Sequence, residues 1–248
     1  MRSARVVTLL LPAHPPVLVL AAHGSADPRS AESAHEVAHT IRRMRRDVDV
    51  RVAFCEQNFP NLRDVLAAIG RDAVVVPLLL ADAYHARVDI PALIAESGID
   101  ARQAEVLGED DRLVAVLRQR LTHAGVSQLD PEVGVLVAAV GSSRPQANAR
   151  TVLVAEYLAQ HTRWVTTTAF ATGPRPSLAE AADELRTRGA TRLVIAPWFL
   201  AHGRITDRVA EYARAQGISM AAPLGPHRLV ADTVLDRFDQ ALEGRAAA

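Results

Sequence analysis

The chain is written twice. VLAAHGSADP, Val19 to Pro28, returns as LVAAVGSSRP, Leu136 to Pro145, with Ala-Ala, Gly, Ser and Pro kept about 117 positions on. AFCEQNFPNL from Ala53 returns as AFATGPRPSL from Ala169, and VVVPLLLA ending at Ala81 as LVIAPWFLA ending at Ala201. LGEDDRLVA from Leu107 returns as LGPHRLVA from Leu224. Four anchors in one order at nearly one spacing define an internal repeat, and a repeat constrains a fold more than any local pattern does. The reading is two structural copies, 1–126 and 130–248, joined by the polar stretch THAGVSQLDPEVG.

Each copy alternates short β runs with helical patterns. In the first, strands are expected at 17–22, 48–54, 73–80 and 103–107, and helices at 29–46, 61–70, 88–97 and 110–123. Ala34, Val37, Ala38, Ile41 and Met44 form one apolar stripe at helical spacing, with Asp27 as N-cap and Pro28 at the first helical position. Continuous apolar strands such as AVVVPLLL suit parallel sheets covered on both faces. The expected fold is α/β: two similar βα-repeat halves, each a small parallel four-stranded sheet flanked by helices, with a cleft between them.

Ligands of such sheets bind beyond the carboxyl ends of the strands. His23 ends the first strand, Glu56 lies just past the second, and His85 and Asp89 lie past the third. The second copy has Val140 in place of His23, Thr172 in place of Glu56 and Ile205 near the place of His85. Scaffold residues persist while chemical ones do not, so the first copy is read as carrying the chemistry and the second as a wall of the cleft. Asp89 reads first as the cap of the following helix, and Cys55, facing Ala171 in the repeat, as a small buried hydrophobe.

His35 to His39 spell H-E-V-A-H, the zinc-protease pattern. On the helical wheel His35, Glu36 and His39 point away from the apolar stripe, toward solvent, and no third ligand follows. There is no G-x-S-x-G elbow and no G-x-x-x-x-G-K-[ST] loop, and Ala22 rather than an arginine precedes His23. Charge balances, with 28 basic and 28 acidic residues, which gives no electrostatic case for nucleic acid or a membrane surface. The basic residues are overwhelmingly arginine, whose planar fork suits carboxylates. One cysteine builds neither a disulfide framework nor an iron–sulfur cluster, which favours the cytoplasm. The N-terminal arginines and apolar residues imitate a signal peptide, but prolines interrupt the run and VLVLAA reads as the first strand.

LAAHGSADP, AFCEQNFPNL and VVVPLLLADAYHARVDIP resemble the sirohydrochlorin and cobalt chelatase family, the class II chelatases. The resemblance runs through VLGEDDRLVAVLRQRL and APWFLAHGRITDRV; it departs at Ala83, where the family would have glycine, and in lacking the histidine-rich tail and cysteine cluster of some relatives. It implies a lyase that inserts Fe²⁺ or Co²⁺, with Ni²⁺ a third fit, into the tetrapyrrole sirohydrochlorin, without ATP, for siroheme or cobalamin. The family's paired histidines map onto His23 and His85 and its carboxylate onto Glu56, as metal ligands and proton acceptors. Eight substrate carboxylates call for arginines, and the candidates are Arg29, Arg87, Arg144 and Arg204, with His202 as an extra cleft group. A monomer is expected, because a two-copy chain can close its own cleft. The rival reading is a metal or tetrapyrrole carrier with the same ligands and no turnover.

Overall fold

A computed structural model describes residues 14–246; the residues before 14, where the signal-like segment begins, lie outside the described part. The first copy runs β1 (Val17–Ala22), α1 (Pro28–Met44), β2 (Asp49–Phe54), α2 (Leu62–Ile69), β3 (Ala73–Pro77), α3 (Ile90–Ser97), β4 (Ala101–Gln103) and α4 (Asp111–His123). The second repeats it as β5 (Val133–Ala139), α5 (Pro145–Ala159), β6 (Val165–Phe170), α6 (Leu178–Thr187), β7 (Arg192–Pro197), α7 (Arg204–Ala215), β8 (Ser219–Met220) and α8 (Arg228–Ala246). Two four-stranded sheets form, in the orders β2-β1-β3-β4 and β6-β5-β7-β8, with every pairing parallel.

Alternation within β1 shows why its sequence is apolar throughout. Leu18, Leu20 and Ala22 join one buried cluster, with α1, while Val17, Val19 and Ala21 join another, with α2 and α3. A strand covered on both faces has no face left for polar residues. The same holds in β5, whose Val135 and Val137 face the first cluster and whose Leu136 and Ala138 face the cluster of the second sheet.

The strand expected at 73–80 is shorter in the structure, ending at Pro77, and the one expected at 103–107 lies earlier, at Ala101–Gln103. The chain beyond them is still extended: Leu78 N–H donates to Ala21 O and Leu107 N–H to Leu79 O, but these bonds reach across loops rather than forming a ladder. α2 keeps its sequence signals, with the Asn61 side chain as N-cap and Gly70 in the left-handed conformation at its C-terminus.

The two copies exchange their last helices. α4, the end of copy one, packs on β7 and α5 of copy two, and α8, the end of copy two, packs on β3 and α1 of copy one. Leu113, Leu117 and Leu121 of α4 and Val230, Val234 and Phe238 of α8 are therefore buried in one cluster with residues of β1, β3, β5 and β7. A shared core couples the halves energetically. Thermal unfolding is expected to follow one cooperative transition, with calorimetric and van't Hoff enthalpies equal; two resolved transitions would contradict the shared core.

The structure also fixes the repeat register. Cys55 N–H donates to Ala22 O and Glu56 N–H to His23 O, as Ala171 N–H does to Ala139 O and Thr172 N–H to Val140 O. Leu78 N–H on Ala21 O corresponds to Trp198 N–H on Ala138 O, and Leu107 on Leu79 to Leu224 on Phe199. His23 thus corresponds to Val140 and Glu56 to Thr172, while the offset falls from 120 at Leu79–Phe199 to 117 at Leu107–Leu224 and leaves the counterpart of His85 between residues 202 and 205.

A candidate metal site at the rim of the first sheet

His23 is the first polar side chain after a buried strand, and its neighbours are placed by backbone bonds that outlast the sheet. The bonds from Cys55 and Glu56 to Ala22 and His23, both 3.0 Å, set Glu56 beside His23. Gly24 adopts φ 98°, and a Cβ there would collide with the Glu56 carbonyl oxygen. Only glycine gives both that dihedral and that approach. Ser25 N–H donates to Asn58 Oδ1 at 2.6 Å and Ala26 N–H to Gln57 Oε1 at 2.9 Å, tying the two loops together.

His85 arrives by another route. Residues 85–89 form a wide helical turn ahead of α3, in which Ile90 N–H reaches back to His85 O. Such turns are rare and occur often at functional sites. This one brings the His85 ring to 3.9 Å from the His23 ring, centroid to centroid, at 88°. Tyr84, exposed on the cleft wall, stands edge-on to His85 at 6.0 Å; no pattern in the sequence marks it.

Hydrogen bonds select the tautomers. His23 Nδ1 lies 2.7 Å from Gly24 O, and His85 Nδ1 lies 2.5 Å from Asp89 Oδ2. Neither acceptor carries a proton to give, so both rings hold theirs on Nδ1 and expose an Nε2 lone pair. His23 Nε2 faces Glu56 Oε1 at 3.6 Å, two electron-rich atoms whose gap favours a cation. Glu56 also accepts from Gln57 Nε2 at 2.8 Å. Among the described residues no three His, Cys, Asp or Glu side chains are disposed to hold an ion unaided. What the protein presents is an imidazole pair with a carboxylate alongside, an open arrangement. Burial pushes the Cys55 thiol up to about 11, so it is no thiolate.

Both histidines line a cleft of about 700 Å³ whose opposite wall comes from the second copy, including Val140 to Ser143, Trp198 and His202 to Thr206. The candidate arginines divide. Arg204 and His202 line this cleft. Arg144, just before α5, makes no side-chain ion pair or hydrogen bond among the described residues, and Arg204 likewise makes none. Arg29 is engaged twice, by Asp27 and across the halves by Asp207, each at 2.5 Å, and its guanidinium holds the Asp27 carboxyl at about 2. Arg87 is bound to Asp82 and lines a separate cavity of about 470 Å³ with Arg150 and Arg237. The expectation that all four arginines line one cleft is therefore corrected: only Arg204 is among its lining residues, Arg29 and Arg87 are occupied by neighbouring carboxylates, and Arg87 faces the other cavity.

Asp89 is corrected as well. Its side chain caps nothing; it bonds His85 instead. The i, i+4 spacing of H-A-R-V-D was the available signal. His35, Glu36 and His39 are exposed on the outer face of α1, as the helical wheel required. Alanine at His35 or His39 is expected to leave any metal-dependent activity within twofold of the parent; loss of activity in either would reinstate a metal site on α1.

Fold and rim together define a duplicated α/β protein that offers imidazole ligands in an open cleft. Comparison with known proteins places that class. The CbiX family model matches twice, at residues 17–124 and 134–241. The chain belongs to the CbiX family. It is 26% identical to a sirohydrochlorin cobaltochelatase of Priestia megaterium over 90% of this chain and 78% of that one. It is 28% identical to a sirohydrochlorin ferrochelatase of the same organism over 83% and 82%. Among solved structures, SirB from Bacillus subtilis with Fe³⁺ superposes with a TM-score of 0.77 at 20% identity, over 93% of this chain and 97% of that one. That likeness is one of fold, and it extends over both copies. No helix among the described residues is long and apolar enough to cross a membrane.

Proposed function

We propose that this protein inserts a divalent metal ion into sirohydrochlorin without nucleotide hydrolysis, with the metal as substrate. The observation that supports it most directly is the pair of imidazole rings, 3.9 Å apart between centroids, on the wall of the 700 Å³ cleft, in a chain of the CbiX family. Relatives carrying both names, cobaltochelatase and ferrochelatase, agree with a donor set that accepts either Co²⁺ or Fe²⁺ and would also accept Ni²⁺.

Insertion needs a metal held over the macrocycle, two pyrrole protons removed, and the ring oriented. His23 and His85 hold the ion. Neutral imidazoles bind such ions well through Nε2, and as the ion passes to the ring each freed Nε2 can accept one of the two pyrrole protons near neutrality. Glu56 completes the coordination or takes a proton through His23. Two imidazoles without a closed cage hold the ion weakly enough to release it into the ring. The second copy supplies the anionic substrate's counter-charge through Arg204, which lines the cleft, with Arg144, next in sequence to the lining Ser143, as a further candidate.

Multiple turnovers of sirohydrochlorin, seen as the absorbance change on metal insertion with Fe²⁺, Co²⁺ or Ni²⁺ supplied in turn, test the proposal. Binding that stops at one equivalent would make the protein a carrier. Arg204→Ala is expected to raise KM for sirohydrochlorin about tenfold, the scale of one charge-assisted hydrogen bond, while Arg87→Ala leaves it unchanged.

A further inference from the structure

We infer that Asp89 is a positioning residue for His85: its carboxylate holds the His85 ring in the one tautomer and orientation that presents Nε2 to the metal. The inference rests on the proposed metal role of His85, and three separate observations carry it. The contact is short and specific, Asp89 Oδ2 to His85 Nδ1 at 2.5 Å, with both side chains about one-third exposed. The carboxylate has no structural duty that would account for it, because at the start of α3, where an aspartate ordinarily caps, its side chain makes no capping bond. The internal repeat does not keep the pair. Between Leu79–Phe199 and Leu107–Leu224 the offset falls from 120 to 117, so His85 corresponds to a residue from 202 to 205 and Asp89 to one from 206 to 209. No placement within that range sets a histidine four residues before a carboxylate, so the second copy, read as a wall of the cleft, does without the pairing.

The wide turn serves this pairing. Its geometry sets residues 85 and 89 on one face of the chain, with the ring between Asp89 on one side and His23 on the other. A ring free to choose would divide its proton between the two nitrogens, and the fraction with Nε2–H could not bind a metal. An anionic acceptor at Nδ1 removes that fraction and makes Nε2 more electron-rich. His23 has only a backbone carbonyl in the same position, at 2.7 Å, so the two imidazoles are not equivalent: His85 is the more firmly held ligand.

The test uses the full chain, labelled with ¹⁵N-histidine and free of metal, at a pH where the histidines are neutral. Long-range ¹H–¹⁵N correlations are expected to show His85 protonated on Nδ1 in the parent protein and redistributed toward Nε2 in Asp89→Ala. Asp89→Asn, which keeps a carbonyl acceptor, should retain the parent tautomer. In steady-state insertion, Asp89→Ala should raise KM for Co²⁺ about tenfold or more with KM for sirohydrochlorin within twofold, and Asp89→Asn should recover part of the loss. If the alanine variant does not fold, Asp89→Val carries the same two readouts. An Nε2–H tautomer in the parent, or an unchanged tautomer and unchanged KM for Co²⁺ in the alanine or valine variant, overturns the inference. The tautomer is read without metal or tetrapyrrole, so failure of the chelatase proposal itself would appear only in the kinetics.

Discussion

Alanine at His23 or at His85 is expected to lower metal insertion by about 100-fold or more, while the melting temperature moves by no more than a few degrees. The asymmetry follows from where the rings sit. Each is about one-third exposed at the end of a loop, outside the three buried clusters that hold the sheets. Truncating partly exposed side chains away from a packed core costs little stability. On the proposed role of the two rings, removing one outright should exceed the 10- to 100-fold effects typical of removing the group behind a ligand. His23→Ala leaves Glu56 and His85 without the ring between them, and His85→Ala leaves Asp89 orienting nothing. The double variant should be hardly worse than either single one, because the two imidazoles act as a unit. Rates measured beside circular dichroism melts check both halves of the statement.

Gly24→Ala should damage stability and activity together. At φ 98° an alanine is strained, and its Cβ collides with the Glu56 carbonyl, a backbone atom that cannot swing aside. Strain of that kind costs about 1–3 kcal/mol, a fall of several degrees in melting temperature for a chain of this size. Relief requires the Glu56 loop to withdraw, which carries Glu56 away from His23. The repeat provides the control. Gly141, with φ 93°, stands in the same relation to the Thr172 carbonyl, where no metal ligand is at stake. Gly141→Ala should therefore cost similar stability and much less activity per folded molecule. Equal activity losses in the two variants would detach the loop geometry from the metal site.

Much of this molecule was legible because the sequence contains its own comparison. The duplication exposed His23, Glu56 and His85 as residues that change while Gly24, Ser25 and Pro28 persist, and parallel α/β topology put them on one rim. Strand and helix identities followed from periodicity, although β3 is shorter than its apolar run and β4 ends where its expected run begins. Hydrophobicity marks burial, and extended chain beyond a sheet edge is buried as well. The exchange of α4 and α8 was not legible, since an apolar stripe says that a helix is covered but not by which sheet. Arg29 and Arg87 looked like substrate ligands because composition cannot show that Asp27, Asp207 and Asp82 already hold them. Asp89 was misjudged for a similar reason: a cap and a histidine partner share the same sequence position, and only the wide turn decides between them.

The most direct measurement is anomalous diffraction at the cobalt edge from crystals of the protein soaked in Co²⁺. A single strong peak within bonding distance of Nε2 of both His23 and His85, open toward the cleft, is the predicted result. A peak at His35 and His39 with none between the rim imidazoles would contradict it.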